Sequence, residues 1–308
     1  MPMVATPESD LATLLDQVTV LTVTYNSSHC VPALAEGLHG VPHVTVVDNA
    51  SGDDSCAAVA AALPAARTIR LPQNLGYGAA NNAGLAEVTT RYALLLNPDC
   101  LITPAQIGAL VAAAQQWPGA TIFVPQLLES QGRKQINYSW PRDAWEPRTA
   151  GADGPLNVGY ACAAVMLLDM QQLAHTGPFD TRFFLYYEDE DLCLRVFQRH
   201  GQIIVLPQIE VTHLSRGSVK GAAPWRAEYW RGFHHAQSKI IFIDKHTGRG
   251  PATRARLRLM ASACANVLAR AILLSPKHLA RAFGRLRGVW QLQLDAAPAT
   301  PPSPKFPA

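Results

Sequence analysis

The sequence lacks the cysteine spacing of a zinc-binding or disulfide-stabilised domain. Six cysteines are scattered over the 308 residues, and no two of them form a CxxC pair. This arrangement argues against a structural zinc site and against a framework of disulfides. Reduced thiols are usual in the cytoplasm, so we expect a cytoplasmic protein.

Long apolar runs and a basic N-terminal leader are also absent. No window of 18 residues is apolar and uncharged throughout, so no membrane-spanning helix is expected. The first 17 residues contain acids but neither Lys nor Arg, which excludes the basic start of a signal peptide. With 48% hydrophobic residues, the chain can form one large domain or two small ones.

Two common nucleotide-binding motifs are missing or altered. No GxxxxGK[ST] sequence occurs, which argues against a P-loop enzyme. Gly76-Tyr-Gly78 follows the third predicted strand rather than the first, and Asn81 stands where the dinucleotide-binding pattern has glycine. A dehydrogenase of the Rossmann type is therefore not favoured.

What the sequence does contain is a regular alternation of short strands and helices. Apolar and β-branched runs predict five strands, at Val18–Thr24, Val44–Val47, Thr68–Leu71, Tyr92–Leu96 and Thr121–Val124. Helices are predicted between them, at Leu34–Leu38, Cys56–Leu63, Ala79–Val88 and Thr103–Gln116. This alternation predicts an α/β fold, with a mostly parallel sheet and helices on both faces.

The second half is less regular. Leu128 to Asn157 is polar and without a clear period, which predicts a long surface loop. Tyr160 to Leu168 is apolar and returns to the sheet, and Glu188 to His200 is predicted to be helical. A further strand, Ile203 to Leu206, leads through Pro207 to Val211-Thr-His213.

These patterns divide the chain into four parts. Residues 1–17 form an N-terminal extension, and residues 18–220 form the α/β domain, whose halves meet at residues 125 and 126. Residues 221–292 form a basic helical extension. The Ala/Pro-rich tail, residues 293–308, is predicted to be disordered.

Charge is distributed unevenly along the chain. From Arg216 to Trp290 there are 15 Lys or Arg residues and 2 acids, whereas the rest of the chain has 11 and 21. The basic region is predicted either to lie on the cytoplasmic face of an anionic membrane or to pack on the α/β domain or a second subunit, as in a homodimer. On the membrane hypothesis the apolar contacts are Leu257, Leu259, Met260, Leu268, Ile272, Leu273 and Leu274, and the cations are Arg254, Arg256, Arg258, Arg270 and Lys277.

Three predicted strands end in small polar residues, at Tyr25-Asn26, Asp48-Asn49 and Asn97-Pro-Asp99. Ligands bind at the carboxyl ends of strands in open α/β sheets, so this edge is predicted to hold a polar ligand. Asp99 has an alternative role, as the cap of the helix that starts near Thr103. The region from Asn74 to Asn82 is a Gly-rich turn into a helix, which either meets a phosphate or is an ordinary turn capped by its Asn residues.

Together these segments resemble glycosyltransferase family 2, most closely its rhamnosyltransferase-like branch. The motifs are TVTYN, VVDNAS, NLGYGAANNAG and LLLNPD in the first half, then GPFDTRFFLYYEDEDLCLR and VTHLS. Each motif alone is weakly specific, but their order and spacing over Val18 to Ser215 is strongly so. The resemblance implies a GT-A type fold for binding nucleotide sugars.

The resemblance also implies an activity. Members of the family transfer a sugar from a nucleotide-diphosphate donor in a single, inverting displacement. We expect rhamnose from dTDP-rhamnose to be moved onto a cell-surface glycan or its lipid-linked precursor. Alternatives are another donor, such as UDP-galactofuranose, or a non-catalytic nucleotide-sugar-binding protein. A nucleic-acid partner is not expected, because it would leave the polar strand ends unexplained.

The family motifs assign roles to residues of this chain. Asp99 would bind Mg²⁺ or Mn²⁺, since Asn97 replaces the first acid of the family's Asp-x-Asp, and His213 would join it. Asp189 would be the catalytic base, with Glu188 as the second choice, whereas Glu190 and Asp191 are assigned to the helix start and an ion pair with Arg195. The residues predicted to bind substrate are Thr24, Tyr25, Asn26, Asp48, Asn49, Asn74, Gly76, Tyr77, Gly78, Asn81, Asn82, Asn97, Asp99 and Glu188. Candidates for stacking on sugars are Phe183, Phe184, Tyr186 and Tyr187, some of which are expected to belong to the core instead. Trp140 and Trp145 are candidates for contact with the acceptor.

Overall fold

A computed structural model describes residues 8–139, 151–214, 224–273 and 275–294 of the chain. Trp140, Trp145, Leu274 and the tail from residue 295 lie outside these ranges, so the expectations for them stay predictions.

The first half of the chain alternates strands and helices, as its sequence pattern predicts. In order, its elements are α1 (Glu8–Leu15), β1 (Val18–Thr24), α2 (Val31–Gly37), β2 (Val44–Asp48), α3 (Ser55–Ala62), β3 (Arg67–Arg70), α4 (Tyr77–Leu85), β4 (Tyr92–Leu96), β5 (Cys100–Leu101), α5 (Pro104–Gln115) and β6 (Ala120–Leu128).

The second half begins with short strands and ends in three helices. Its elements are β7 (Lys134–Gln135), β8 (Tyr138–Ser139), β9 (Leu156–Asn157), β10 (Tyr160–Ala161), β11 (Val165–Asp169), α6 (Met170–Thr176), α7 (Glu188–Gln198), β12 (Gln202–His213), α8 (Pro224–Thr247), α9 (Arg249–Ile272) and α10 (Pro276–Gln291).

The main sheet has the strand order β3-β2-β1-β4-β11-β6-β12-β5. The pairs of β1 with β2 and β4, β2 with β3, and β6 with β12 are parallel. β11 lies between β4 and β6 and is antiparallel to both. The predicted α/β class with a mostly parallel sheet is therefore confirmed, with one reversed strand at its centre.

Alternate residues of the central strands face opposite sides of the sheet, as strand geometry requires. Val20 and Leu94 belong to one buried cluster, which includes Ile107 of α5. Leu21 and Leu95 belong to a second cluster, on the side of α4, α6 and α7. Helices thus cover both faces, which explains why the strands are continuous apolar runs.

Several boundaries differ from the sequence prediction. Thr103 caps α5 in a capping box with Gln106, so Asp99 is not the cap of this helix. α4 begins at Tyr77 rather than Ala79, and the two predicted segments from Ile203 to His213 are one strand with an irregularity after Leu206. The supposed structureless loop contains β7, β8 and β9 within its described part.

The C-terminal helices form a compact bundle with its own buried residues, among them Ala236, Ile240 and Val289. α8 and α10 approach closely because glycine lies at the crossing. A Cβ at Gly284 would overlap the carbonyl oxygen of Tyr229, and one at Gly288 would lie 2.5 Å from the carbonyl oxygen of Phe233. Among the described residues, no helix is both long and apolar enough to cross a bilayer.

Candidate active site

The loops after β1 and β2 are tied to each other. Asp48 is buried, and its carboxylate accepts hydrogen bonds from Thr24 Oγ1 at 3.2 Å and from the backbone N–H of Ser51 at 3.1 Å. Asn26 has a positive φ of 53°, and its Oδ1 accepts from the N–H of Gly52 at 2.8 Å. Tyr25 remains exposed beside them. The ends of β1 and β2 are therefore linked by hydrogen bonds into one edge of the sheet, where the ring of Tyr25 is exposed.

Asn49 organises the Gly-rich turn that precedes α4. Its Nδ2 donates to Asn74 Oδ1 at 3.0 Å and to the Gly76 carbonyl at 3.3 Å, and its Oδ1 accepts from the Leu75 N–H at 2.9 Å. The N–H of Gly76 bonds to Asn74 Oδ1 at 2.9 Å, and that of Tyr77 to the carbonyl of Phe184 at 2.9 Å. The amides of residues 75–77 are thus used within the protein. They form a capped turn and not an open phosphate cradle.

The same turn packs tightly on the segment before α7. Gly76 has a φ of 86°, and a Cβ at this position would overlap the carbonyl oxygen of Phe184. A Cβ on Gly78 would lie 3.0 Å from Phe179 Cβ and 3.4 Å from Glu188 Cβ. Gly76 is therefore required both by close approach and by its backbone conformation, whereas close approach alone restricts Gly78.

The Asn residues on α4 also hold this contact. Asn82 donates from Nδ2 to the carbonyl of Phe179 at 2.8 Å and accepts from its N–H at 3.0 Å. Asn81 is buried, and its Nδ2 donates to the carbonyl of Tyr77 at 2.9 Å. The geometry gives Asn81 and Asn82 structural partners, a role that the sequence pattern did not distinguish from direct substrate contact.

Asp99 and His213 come together at the carboxyl end of β4. Oδ1 of Asp99 lies 3.7 Å from Nε2 of His213, and both side chains are largely buried. β5 and β12 pair antiparallel, which places His213 opposite Cys100. Gln135 contacts the histidine twice: its Oε1 lies 3.2 Å from His213 Nδ1, and its Nε2 donates to the His213 carbonyl at 3.0 Å. Sequence reasoning missed Gln135, since nothing in the polar loop distinguishes it.

This pair fits a hard divalent cation. The separation of 3.7 Å between Oδ1 and Nε2 exceeds hydrogen-bond range but allows both atoms to contact one ion. With Nδ1–H donating to Gln135, Nε2 presents its lone pair toward Asp99. Burial lowers the pKa of His213, although the Asp99 carboxylate opposes this effect, so the ring is held in its neutral, ligating form.

Cys100 completes a group of three ligand-type side chains, with Asp99 and His213, whose atoms lie within 4.8 Å of one another. Burial raises the pKa of its thiol well above the usual range, with the charge of Asp99 as a further cause. The thiol donates to the carbonyl of Ala164 at 3.6 Å. A protonated thiol is a poor ligand for a hard cation, so the carboxylate and the imidazole are the relevant donors.

Glu188 and Asp189 begin α7, and their environments differ. The side chain of Glu188 is buried against the Gly-rich turn, and its Oε2 has no hydrogen-bond partner. Burial raises the pKa of Glu188 well above its usual range, and the charge of Asp189 adds to this effect. Both effects favour the protonated form of this carboxyl group.

Asp189 is oriented by three hydrogen bonds. Its Oδ2 accepts from Tyr160 Oη at 3.3 Å and from the Ala163 N–H at 3.4 Å, and its Oδ1 accepts from the Glu190 N–H at 2.9 Å. Burial raises the pKa of Asp189, although these hydrogen bonds oppose the rise. A carboxylate that is fixed in place and has a raised pKa is suited to accept a proton.

The start of β11 joins the separate motifs. The Ala163 N–H bonds to Asp189, and the Ala163 carbonyl accepts from Tyr77 Oη at 2.7 Å. The next carbonyl, of Ala164, accepts from the Asn97 N–H at 2.8 Å. The Gly-rich turn, the Asn97–Asp99 loop and the acidic helix start therefore converge on two alanines that carry no sequence signal of their own.

The aromatic segment before α7 is held by α8. Tyr186 and Tyr187 have positive φ values of 69° and 67°, a conformation that costs energy for residues other than glycine. The ring of His235 packs edge-on to both. Phe184 stacks on His234 at 4.2 Å between ring centroids. Phe183 is fully buried, so among the four aromatic candidates it belongs to the core and does not stack on a sugar.

Comparisons with known proteins agree with this geometry. Residues 19–170 match the family described as Glycosyl transferase family 2. The N-acetylglucosaminyl-diphospho-decaprenol L-rhamnosyltransferase of Mycobacterium tuberculosis is 26% identical over 272 residues, covering 76% of this chain and 87% of the relative. A low-salt glycan biosynthesis hexosyltransferase of Haloferax volcanii is 25% identical over 215 residues, covering 65% of this chain and 68% of the relative.

Solved structures share the fold at low identity. A mannosyltransferase from Pyrobaculum calidifontis, in complex with GDP-Man and Mn²⁺, has a TM-score of 0.55 and 15% identity, covering 90% of this chain and 88% of that one. Glucosyl-3-phosphoglycerate synthase from Mycobacterium tuberculosis, with Mn²⁺ and UDP, also has a TM-score of 0.55 and 15% identity, covering 79% and 85%. Residues 19–170 therefore form a glycosyltransferase family 2 domain, and the chain has the GT-A fold found in nucleotide-sugar glycosyltransferases.

Proposed function

We propose that the protein transfers rhamnose from dTDP-rhamnose to a hydroxyl group of a cell-surface glycan or its lipid-linked precursor, with inversion at the anomeric carbon. The observation that supports this proposal best is the convergence of Asn97, Asp189 and Tyr77 of the Gly-rich turn on Ala163 and Ala164, since Asn97 begins the loop that carries Asp99. The mycobacterial relative named as a rhamnosyltransferase favours the sugar and a lipid-linked acceptor.

The nucleotide would bind at the edge formed by the ends of β1 and β2. The Asp48 carboxylate already accepts two hydrogen bonds, which leaves further lone pairs for the N–H of a pyrimidine base. Tyr25 is exposed beside it and offers a ring for the base to stack on. Asn26 and Asn49 hold the two loops that position these groups.

The diphosphate would lie at Asp99 and His213, which would hold Mg²⁺ or Mn²⁺. Such an ion, when bound, neutralises the charge that develops on the leaving diphosphate. Asp99 and His213 supply only two protein ligands. This small number suits Mg²⁺ or Mn²⁺, because these ions keep bound waters and also take phosphate oxygens as ligands. Gln135 would orient the imidazole.

The acceptor hydroxyl would approach Asp189. A hydroxyl group is a poor nucleophile while it keeps its proton. A carboxylate within hydrogen-bond reach would take this proton during the attack. The bonds from Tyr160 and Ala163 to Oδ2, together with the bond from the Glu190 N–H to Oδ1, fix the orientation of the Asp189 carboxylate at the start of α7. Burial raises the pKa of Glu188 well above its usual range and leaves its Oε2 without a hydrogen-bond partner, which favours the oriented Asp189 over Glu188 as the base.

A panel of nucleotide sugars tests the donor. The purified protein would be assayed for thermal stabilisation and for donor hydrolysis with dTDP-rhamnose, UDP-galactofuranose, UDP-GlcNAc and GDP-mannose, each with Mg²⁺ or Mn²⁺. We expect dTDP-rhamnose to stabilise and to be hydrolysed most. If the protein prefers UDP-galactofuranose, the proposed sugar transfer still holds but the proposed donor is wrong. Binding without turnover, even with a polyprenyl-diphosphate-GlcNAc acceptor, would indicate a non-catalytic binding protein.

A further inference from the structure

The outward face of α9 is apolar along most of its length. Five of its exposed residues are apolar, fall at helical spacing and form one stripe: Leu257, Ala261, Cys264, Leu268 and Ile272. Leu268 is 68% exposed and Ile272 is 81% exposed. At 1.5 Å per residue this stripe is about 22 Å long. A surface helix of a globular protein ordinarily presents polar residues on this face.

The inner face of the same helix is already packed. Ala252 and Ala263 are buried there, and Leu259 and Met260 pack against the core of the bundle. The sequence-based expectation that Leu259 and Met260 supply membrane contacts is therefore wrong. The stripe is a second apolar face, which the packing of the bundle does not need.

α10 presents a related face. Phe283, Arg287 and Trp290 are exposed at spacings of four and three residues, so they lie on one side of the helix. Trp290 is 73% exposed. Arg256 Nη2 donates to the carbonyl of Trp290 at 3.3 Å, which places the end of α10 beside the start of the stripe on α9. Aromatic and basic side chains on one helix face are typical of a membrane interface.

The charge of the region indicates the kind of partner. Residues 245–294 contain no Asp or Glu. The exposed cations Arg254 and Arg258 flank the start of the stripe, and Lys277 follows its end. Two copies of so basic a surface would repel each other, whereas a surface of anionic lipid headgroups would attract it. The positive charge thus favours lipid over a second copy of the chain.

We propose that the outward faces of α9 and α10 bind the surface of an anionic phospholipid bilayer, with the helices parallel to the membrane plane. The apolar stripe enters the boundary between headgroups and acyl chains, and the arginines meet the phosphates. This inference does not depend on the proposed reaction, because it concerns a surface outside the catalytic residues. Its consequence is that the protein is held at the surface where membrane-borne acceptors are presented.

Flotation of the full-length protein with vesicles tests the proposal. Binding is expected to phosphatidylcholine vesicles that contain phosphatidylglycerol, and not to vesicles of phosphatidylcholine alone. The double variant Leu268→Asn/Ile272→Asn should lower the partition constant on the order of tenfold or more. Arg254→Gln/Arg258→Gln should lower it about fivefold per arginine. Trp117→Gln and Arg133→Gln remove an exposed aromatic residue and an exposed cation elsewhere, and should leave binding unchanged.

Cys264 allows a second measurement on the stripe itself. It is the exposed member of the six cysteines, so an environment-sensitive fluorophore can be attached to it selectively. Its emission should shift to shorter wavelength when anionic vesicles are added. Equal binding of wild type and both double variants would overturn the proposal. An emission that does not shift would also overturn it. So would sedimentation that shows a dimer, if Leu268→Asn/Ile272→Asn dissociates this dimer and the wild-type protein does not bind vesicles.

Discussion

Nζ of Lys245 lies 2.6 Å from Oδ1 of Asp191 and joins α8, the first helix of the C-terminal bundle, to α7, which begins with Glu188 and Asp189. Asp191 is fully buried and also contacts Arg195 and His246, each at 2.8 Å. Burial alone would raise the pKa of Asp191, but the hydrogen bond from His246 and the nearby cations lower it. The predicted ion pair of Asp191 with Arg195 is confirmed. Lys245 and His246 both belong to α8, so the C-terminal bundle helps to hold α7 in place.

Replacing Lys245, which pairs with both Asp180 and Asp191, is expected to destabilise the fold. Lys245→Met leaves Asp191 with two of its three partners and removes one partner of Asp180, so we expect a loss of about 1–3 kcal/mol in the free energy of unfolding. Urea denaturation measures it. Arg249→Gln breaks an ion pair in which Arg249 is 52% exposed, and should cost little. Equal stability of Lys245→Met and wild type would contradict this account.

The contribution of Asp191 and its partners to stability should change with pH in one direction. The folded state lowers the pKa of Asp191, so its stabilisation is present above the unfolded pKa of about 4 and is lost as the pH falls through the lower folded value. The difference in stability between wild type and Lys245→Met should therefore shrink on acidification below about pH 4.

Glu188 is expected to behave in the opposite way. Its pKa is raised in the fold, so the folded state keeps a proton that the unfolded state loses above about pH 4.3. Stability therefore falls as the pH rises from this value toward the folded pKa. Glu188→Gln removes the titration, so its melting temperature should exceed that of wild type by a few degrees, and by more at higher pH. A melting temperature below wild type at pH 8 would contradict this.

Much of the architecture could be predicted because it depends on local patterns. β1 and β4 have the predicted boundaries, since apolar runs that end at turn residues specify buried strands. The reversed direction of β11 could not be predicted, because a buried strand has the same composition in either orientation. The role of Ala163 and Ala164 was equally hidden, since they contribute backbone atoms and no distinctive side chain.

The site illustrates the same limit. Asp99 and His213 were predicted together from family motifs, and they do lie side by side. Gln135 contacts His213, and Lys245 contacts Asp191, but each partner comes from a segment distant in sequence, so only the tertiary structure shows these contacts. Conversely, Asn49, Asn74 and Asn82 could be polar ligands or structural donors by sequence, and the structure gives all three internal partners.

The Gly-rich turn should tolerate no side chain at Gly76. Gly76→Ala meets both an unfavourable positive φ and the carbonyl of Phe184, so it should cost about 2 kcal/mol or more in stability. Gly132 also has a positive φ, of 78°, but has nothing near its Cβ position. Gly132→Ala should thus show the backbone cost alone, about 1 kcal/mol. Chemical denaturation of both variants checks this, and equal losses would contradict the close contact.

The contact of Gln135 with His213 is expected to affect the affinity for the metal. Gln135→Ala removes the group that orients the imidazole, so the dissociation constant for Mn²⁺ in the presence of nucleotide should rise about 10–100-fold. Calorimetry measures this value. Gln131→Ala alters an exposed residue in the same loop and serves as the control. Activity that survives excess EDTA, or an Asp99→Ala variant with normal turnover, would rule out the metal site.

The substitution Asp189→Asn tests the central claim most directly, through steady-state transfer rates measured across pH together with the affinity for the donor. A raised pKa places the loss of activity on acidification above the ordinary value for Asp, which is about 3.9. Asp189→Asn should lower the rate about 10²–10⁴-fold and abolish this acid limb, while donor affinity stays near wild type. An Asp189→Asn enzyme that keeps most of its turnover and its acid limb would contradict the assignment of Asp189 as the base.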